Sequence, residues 1–533
     1  MLERKWWTLI AVCTAIFMLL LDITVVNVAL PDIQQSLHSS FSNLQWVVDA
    51  YSLTLAVFLL TAGVLGDMYG RRTVFGVGLV IFILSSLVCG LSTSSVMLNL
   101  ARAVQGVGGA AMFATSVSLL AAAFHGKERG MAFGIYGAVL GGAVAIGPLI
   151  GGALTSGIGW RWIFFVNVPV GVVAVFVTVT RVVSAKEPNS RRIDWVGFIS
   201  FSLSLFMLVL ALVRGNADGW GSSKILGLLI GSAVLMAVFI TAEARQSDPM
   251  LDLNLFRRPA MVGVSITALC LASSVFSLFL FMTLYIQDGL GYGPFAAGLR
   301  FLPMTVLTFV VAPLAGKLTT RLQTRYLLAF GLLLISGGLL VMATTTATSS
   351  WTQLLPGFIL AGFGIGTVNP VLASASVAVV PFQKSGMAAG ANSTFRQIGI
   401  ATGVAALGAV FASQIQHKTV AALNATVAGK DVLARGGSQL TQALQAGGVR
   451  EVAAAIPSDA AKATLIDGYR VGFSGALNLL MVIGSVIAIV GAAGTLALVR
   501  QKDFVVNMTG EGAGSPAAAP ASDTPAPTSV APA

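Results

Sequence analysis

Four ionisable side chains lie within long apolar stretches of this chain: Asp22, Asp49, Arg102 and Arg396. Charges are costly in hydrocarbon, so each is a functional hypothesis by default. At about 1.5 Å of helical rise per residue, Asp22 lies roughly 10 Å below the outer end of its stretch, Arg102 roughly 9 Å and Asp49 roughly 5 Å. The three share one half of a bilayer and can meet there. An acid that alternates between a dry environment and a neighbouring guanidinium changes its hold on a proton, and proton coupling requires that property. A second reading of Asp22 and Arg102 is a fixed ion pair that pins two helices. Asp49 is shallow enough for water to solvate it, which favours a structural part. Arg396 lies near mid-membrane and either holds an anion or pairs with backbone carbonyls. The amides Asn27, Gln105, Asn392 and Gln397 lie in the same stretches and are candidates to line a cavity.

Two glycine patterns accompany these groups. Gly63-Val-Leu-Gly-Asp-Met-Tyr-Gly-Arg-Arg72 ends one apolar stretch. Gly63 and Gly70 permit close approach and a tight turn, and Asp67 faces Arg71 and Arg72 across that turn. Such a cluster can latch two helices in one conformation and release them in another; an ordinary basic loop is the alternative. Further on, Gly147-Pro-Leu-Ile-Gly-Gly152 puts Gly147, Pro148, Gly151 and Gly152 in one stretch, where they favour a kink and tight helix packing.

These residues need a membrane scaffold. Of 533 residues, 56% are hydrophobic and 10% charged, against about 25% charged in soluble domains. Mean hydropathy is +0.88. Fourteen apolar stretches, from 7–29 to 386–412 and 470–498, are long enough to cross a bilayer as helices. An even number places both termini on one side. With the termini inside, that face carries nineteen cations, from Arg4 and Lys5 to Arg500 and Lys502. The short loops opposite carry four: Arg161, Arg214, Lys224 and Arg300. The asymmetry sets the orientation by the positive-inside rule. Trp6 opens the first stretch with no cleavable signal before it, which reads as a retained span. Residues 413–468 are expected outside the membrane and partly helical. Residues 504–533 end in an Ala/Pro-rich tract that cannot bury a core and is expected to be disordered. Gly63–Arg72 and Ala312–Arg321 echo one another weakly, as the repeated halves of secondary transporters do.

Several function classes drop out. The net charge of +11 is spread as single and paired cations beside apolar stretches, which is no nucleic-acid footprint. Three His and three Cys supply no metal spacing, no HExxH pair and no Walker loop. A passive channel usually needs a symmetric ring of subunits, which one asymmetric chain does not make.

The motifs together resemble the major facilitator superfamily, and within it the 14-helix branch of drug:proton antiporters. Leu21-Asp-Ile-Thr-Val-Val-Asn-Val-Ala-Leu-Pro31 is similar to that branch's first-span motif, Gly63–Arg72 to the loop 2–3 motif, Arg102-Ala-Val-Gln-Gly106 to the fourth-span motif, and Gly147–Gly152 to the fifth-span motif of exporters. Trp160–Gly171 also fits the branch. The resemblance runs from Trp6 to Lys502. It implies an all-α polytopic membrane protein with a major facilitator fold: a six-helix half over 1–181, two additional helices over 182–258, and a second six-helix half over 259–503. It implies that Asp22 is the proton-linked acid, with Arg102 in support. The function implied is proton-coupled export of amphipathic compounds through the cytoplasmic membrane by alternating access, without a cofactor and as a monomer. The alternative is a same-fold exporter dedicated to one metabolite, siderophore or lipid. Two departures matter. Met68 and Tyr69 follow Asp67 where the family often has a basic residue, which weakens the expected latch. Spans 9 to 14 lack the mid-membrane acid of some dication exporters, so a strong preference for dications is not expected.

Overall fold

The computed structural model describes residues 3–38, 41–182, 194–246, 249–434 and 458–505. Most of the terminal tract and the middle of the 413–468 segment lie outside them. Among the described residues there is no strand. Thirteen helices are long and apolar enough to cross a membrane, and Gly126–Gly157 is a further helix of 32 residues.

In chain order the first half contains α1 (Arg4–Ser36), α2 (Phe41–Tyr69), α3 (Arg71–Gly90), α4 (Ser95–Ala123), α5 (Gly126–Gly157) and α6 (Trp162–Arg181). Next come α7 (Trp195–Asp218) and α8 (Ser223–Arg245). The second half contains α9 (Pro259–Gln287), α10 (Pro294–Leu318), α11 (Thr324–Met342), α12 (Leu355–Ala378), α13 (Ser385–Asn424) and α14 (Asp459–Leu498). Helix starts outside the hydrocarbon are capped by side chains: Ser94, Asp194, Ser222 and Ser458 each accept from a backbone N–H three residues on. Inside it, helical pairing satisfies the backbone where water cannot.

The last two helices correct the expected boundary at 412 and 470. Each has 40 residues, about 60 Å of helix against a hydrocarbon core of about 30 Å. Their outer turns run on together past the membrane. Phe411, Ile415 and Leu423 bury against Leu465, Tyr469 and Phe473, and Lys418 donates to the Gly475 carbonyl at 2.6 Å. Gln414, His417 and Lys418 look like loop residues in sequence; here they belong to a long amphipathic helix.

The extra pair α7 and α8 packs on the seam between the halves. Phe201, Leu205 and Val209 of α7 share a buried cluster with Leu53, Ala56 and Leu60 of α2. Asn216 donates to the Ala405 carbonyl of α13 at 3.0 Å. Ser204 of α7 donates to the Ser232 carbonyl of α8 at 2.8 Å and joins the pair to each other.

The linker after α8 is tied to the second half by Asp252 and Lys384, 2.6 Å apart. Burial alone would raise the Asp252 carboxyl, but the hydrogen bond and charge of Lys384 outweigh it and hold it below its ordinary value. A depressed carboxylate contributes stability above its unfolded value, near pH 4, and loses it as pH falls through the folded value. The linker is therefore expected to loosen below about pH 4, with Asp252→Asn removing the pH dependence. A distance between spin labels on the linker and the start of α13 reads both; a wild-type acid transition identical to that of Asp252→Asn rejects the tie.

Candidate functional site

Asp22 and Arg102 meet, in a site without solvent. Both are 1% exposed, and Arg102 Nη1 lies 2.5 Å from Asp22 Oδ2. Further polar groups of three helices engage the pair. Gln105, one turn beyond Arg102 on α4, donates to Asp22 Oδ1 at 3.1 Å and accepts from Arg102 at 2.7 Å. Asn167 of α6 donates to the same Oδ1 at 3.1 Å. Arg102 Nε donates to the Val47 carbonyl of α2 at 3.0 Å, and its guanidinium stacks 4.1 Å from the centroid of the Tyr51 ring. Ser86 of α3 accepts from Asn167 at 3.1 Å and donates to the Phe164 carbonyl at 3.0 Å. Five helices of the first half thus converge on one carboxylate.

The pattern follows from helix geometry. Arg102 and Gln105 are three apart on α4 and share a face. Val47 and Tyr51 do the same on α2. Gly106 lets the two helices close: a Cβ there would meet the Tyr51 carbonyl oxygen at 2.5 Å. A buried ion pair is expensive unless its remaining hydrogen-bonding capacity is filled, and here both carboxylate oxygens, Nε and Nη1 have partners.

Asp49 does not join this site. It is half-buried, and the cation acting on it is Arg214 of α7. Two residues along a helix turn about 200°, so Asp49 points away from the face that Val47 and Tyr51 present to Arg102. Gln105, expected to line a substrate cavity, is fully buried in the Asp22 network instead. Asn167 did not stand out in the sequence; the only signal was its place in the stretch Trp160–Gly171. Asn167→Leu would leave Asp22 Oδ1 with Gln105 alone, a loss of about 1–3 kcal/mol for a buried hydrogen-bonding group. A lower melting temperature of the purified protein checks this; an unchanged one rejects the assigned bond.

The second cluster bridges α2 and α3 to the start of α13. Asp67 binds Arg71 at 3.0 Å and also reaches across to the second half. It accepts from the backbone N–H groups of Gly386 at 3.0 Å and Met387 at 2.8 Å, at the start of α13. A carboxylate there satisfies open donors and complements the helix dipole. Arg71 donates to the Phe382 carbonyl at 2.5 Å and lies over its ring. Arg72, expected to share Asp67, turns instead to the Val179 carbonyl of α6. Gly70 has φ +98°, a turn that L side chains rarely adopt. A side chain at Gly63 would overlap the Gly386 carbonyl.

The glycines of α5 face two ways. In its cytoplasmic half, Gly130 and Gly134 lie against the backbone of Gly316 and Pro313 of α10, and Gly137 against Pro370 of α12. In its outer half, Gly147 and Gly151 lie against Thr24 and Val25 of α1, within the same half of the protein. Gly152 has open space at its Cα. The two halves are therefore joined at the cytoplasmic end, where Arg129 also donates to the Ser374 carbonyl at 3.3 Å. The side chains of Pro148 and Asn27 lie outside the described residues.

Between the halves lies Arg396 of α13, half-buried, with its guanidinium 4.5 Å from the Phe276 ring centroid of α9. It feels Tyr136 of α5 across the interface. Asn392, one turn earlier, has a buried Oδ1 with no hydrogen-bond partner among the described residues. Gln397 is half-buried beside it.

The family model of the Major Facilitator Superfamily matches residues 12–404. The chain belongs to that superfamily. Among curated relatives of this major facilitator protein is the multidrug resistance protein Stp of Mycobacterium tuberculosis, 38% identical over 76% of each chain. Another is the tetracenomycin C resistance and export protein of Streptomyces glaucescens, 36% identical over 77% of each chain. The fold is also that of the proton:xylose symporter XylE, with TM-score 0.59, 12% identity, and coverage of 95% of this chain and 98% of that one. The protein is thus a multi-pass membrane transporter with the major facilitator fold.

Proposed function

We propose that this protein is a proton-driven exporter of amphipathic compounds across the cytoplasmic membrane, working by alternating access. The observation that carries the reading is the Asp22 site. A carboxylate sealed from water, with partners supplied by α4 and α6, cannot gain or lose a proton without those helices moving. Protonation from the outer side would release Arg102 and loosen the first half; loss of the proton toward the cytoplasm would rebuild the pair. The bonds of Asp67 and Arg71 to α13 hold the cytoplasmic mouth shut in the state described here, and their release would open it. The relatives' names support export as the direction of transport.

The test uses inside-out vesicles energised by respiration, with a panel of fluorescent amphipathic dyes. Uptake of at least one dye that collapses with a protonophore is expected. Uptake indifferent to the gradient would sink proton coupling. The relatives include a multidrug protein and one named for a single compound, so the panel also separates broad export from a dedicated substrate.

A further inference from the structure

We infer that the cavity between the halves is built for an amphipathic anion, an aromatic carboxylate, sulfonate or phenolate, with Arg396 as its counter-charge. The inference rests on the export reading for its transport step, and on the geometry alone for binding.

Arg396 begins about 17 Å along α13 from its cytoplasmic start, near mid-membrane. Among the described residues it makes no ion pair; its one close partner is the Phe276 ring. The described acids of the spans are engaged elsewhere. Asp22 is held by Arg102, and Asp67 by Arg71 and α13. Asp49 lies toward Arg214, and Glu243 toward Asp194 at the far end of α8. A cation left this deep without a counter-charge is costly unless something supplies one.

The surroundings indicate what that is. Phe276 ends a π-helical turn, Ala272–Phe276, within α9. Such turns widen a helix, redirect its side chains, and are frequent at functional sites. Phe276 and Phe279 then line a pocket with Thr305 and Thr308 of α10, Ile365 of α12 and Gly141 of α5, so both halves contribute. Its enclosed void is small, about 30 Å³, room for a water-sized group, so this is a constricted state of the site that must widen to admit a ligand. Unused polar capacity lies nearby. Both amide atoms of Asn369 and the Oδ1 of Asn392 are buried without partners among the described residues, and Asn369 adjoins Pro370 at the contact with Gly137. Once the site widens, a planar aromatic body would lie along the apolar wall, with its anionic group toward the guanidinium on the other side of Phe276. A cation would meet Arg396 as a like charge, with no free carboxylate beside it among the described residues to offset it.

Two dyes on one xanthene skeleton test this: fluorescein, an anion, and rhodamine 123, a cation. Binding to the purified full chain in lipid nanodiscs is measured by equilibrium dialysis against empty nanodiscs. Wild type is expected to bind fluorescein, Arg396→Gln to bind it about tenfold or more weakly, and Arg396→Lys to stay within about threefold, as loss or retention of a charged partner predicts. Rhodamine 123 binding is not expected to weaken in Arg396→Gln. No fluorescein binding by wild type, equal binding by Arg396→Gln, or equal loss of both dyes overturns the inference. Gradient-driven uptake in vesicles is read separately. Binding as expected without uptake rejects the export reading and leaves the anion site standing.

Discussion

Asp22→Asn is expected to abolish uphill export while leaving exchange of substrate down its own gradient. One proton moving inward through 100 mV gains about 2.3 kcal/mol, which sustains an accumulation ratio of about 50 for each proton coupled to each substrate molecule. Without a titrating acid at position 22 that ratio falls toward one. The substitution also leaves Arg102 as a buried charge without its carboxylate, and breaking such a pair costs about 3–5 kcal/mol. Loss of fold and loss of coupling therefore need separating. The double variant Asp22→Asn, Arg102→Gln removes both charges and is expected to fold better than the single one, yet remain uncoupled. Counterflow in proteoliposomes reads the transport cycle without a proton gradient, and vesicles with an imposed gradient read coupling. Accumulation at the wild-type ratio in either variant would exclude Asp22 as the coupling acid.

The second large effect lies at the cytoplasmic seam. Gly130→Val is expected to reduce transport to background. A side chain there would enter the space held by the Gly316 carbonyl and backbone. A clash against backbone cannot be relieved by turning a rotamer, so the helices must separate. α5 and α10 would then stay apart at the cytoplasmic end, and the mouth would remain open. Ser374, buried in α12 beside the Arg129 contact, serves as the reporter. In a chain with Cys13, Cys89 and Cys270 replaced, Ser374→Cys should react with a cytoplasmic maleimide slowly. Adding Gly130→Val should speed that reaction about tenfold or more, by removing the closed state that protects it. Wild-type transport, or labelling that stays slow, would show that α5 and α10 need not pack this closely. Gly63→Leu should act in the same direction through the Gly386 carbonyl.

Both predictions rest on residues visible in the sequence, with consequences that were not. A polytopic helical fold was legible because it depends on a quantity additive along the chain, apolar length. Asp22, Arg102, Asp67 and Gly63 stood out because charges in hydrocarbon and glycines at turns are costly without a purpose. Facing directions were not legible. Asp49 shares the outer half of the bilayer with Asp22, yet its side of α2 turns to Arg214. Arg72 sits beside Arg71 and bonds to a different helix. Asn167 and Gln105 are ordinary amides until four other helices close around Asp22. The glycines of α5 read as one pattern, but one set joins the halves and the other packs within one half. The cost of burying a group belongs to the residue and its neighbours in sequence, so the chain alone determined which side chains must be satisfied. The partner that satisfies each depends on the rotation and approach of helices up to hundreds of residues apart, and only the tertiary structure decided that.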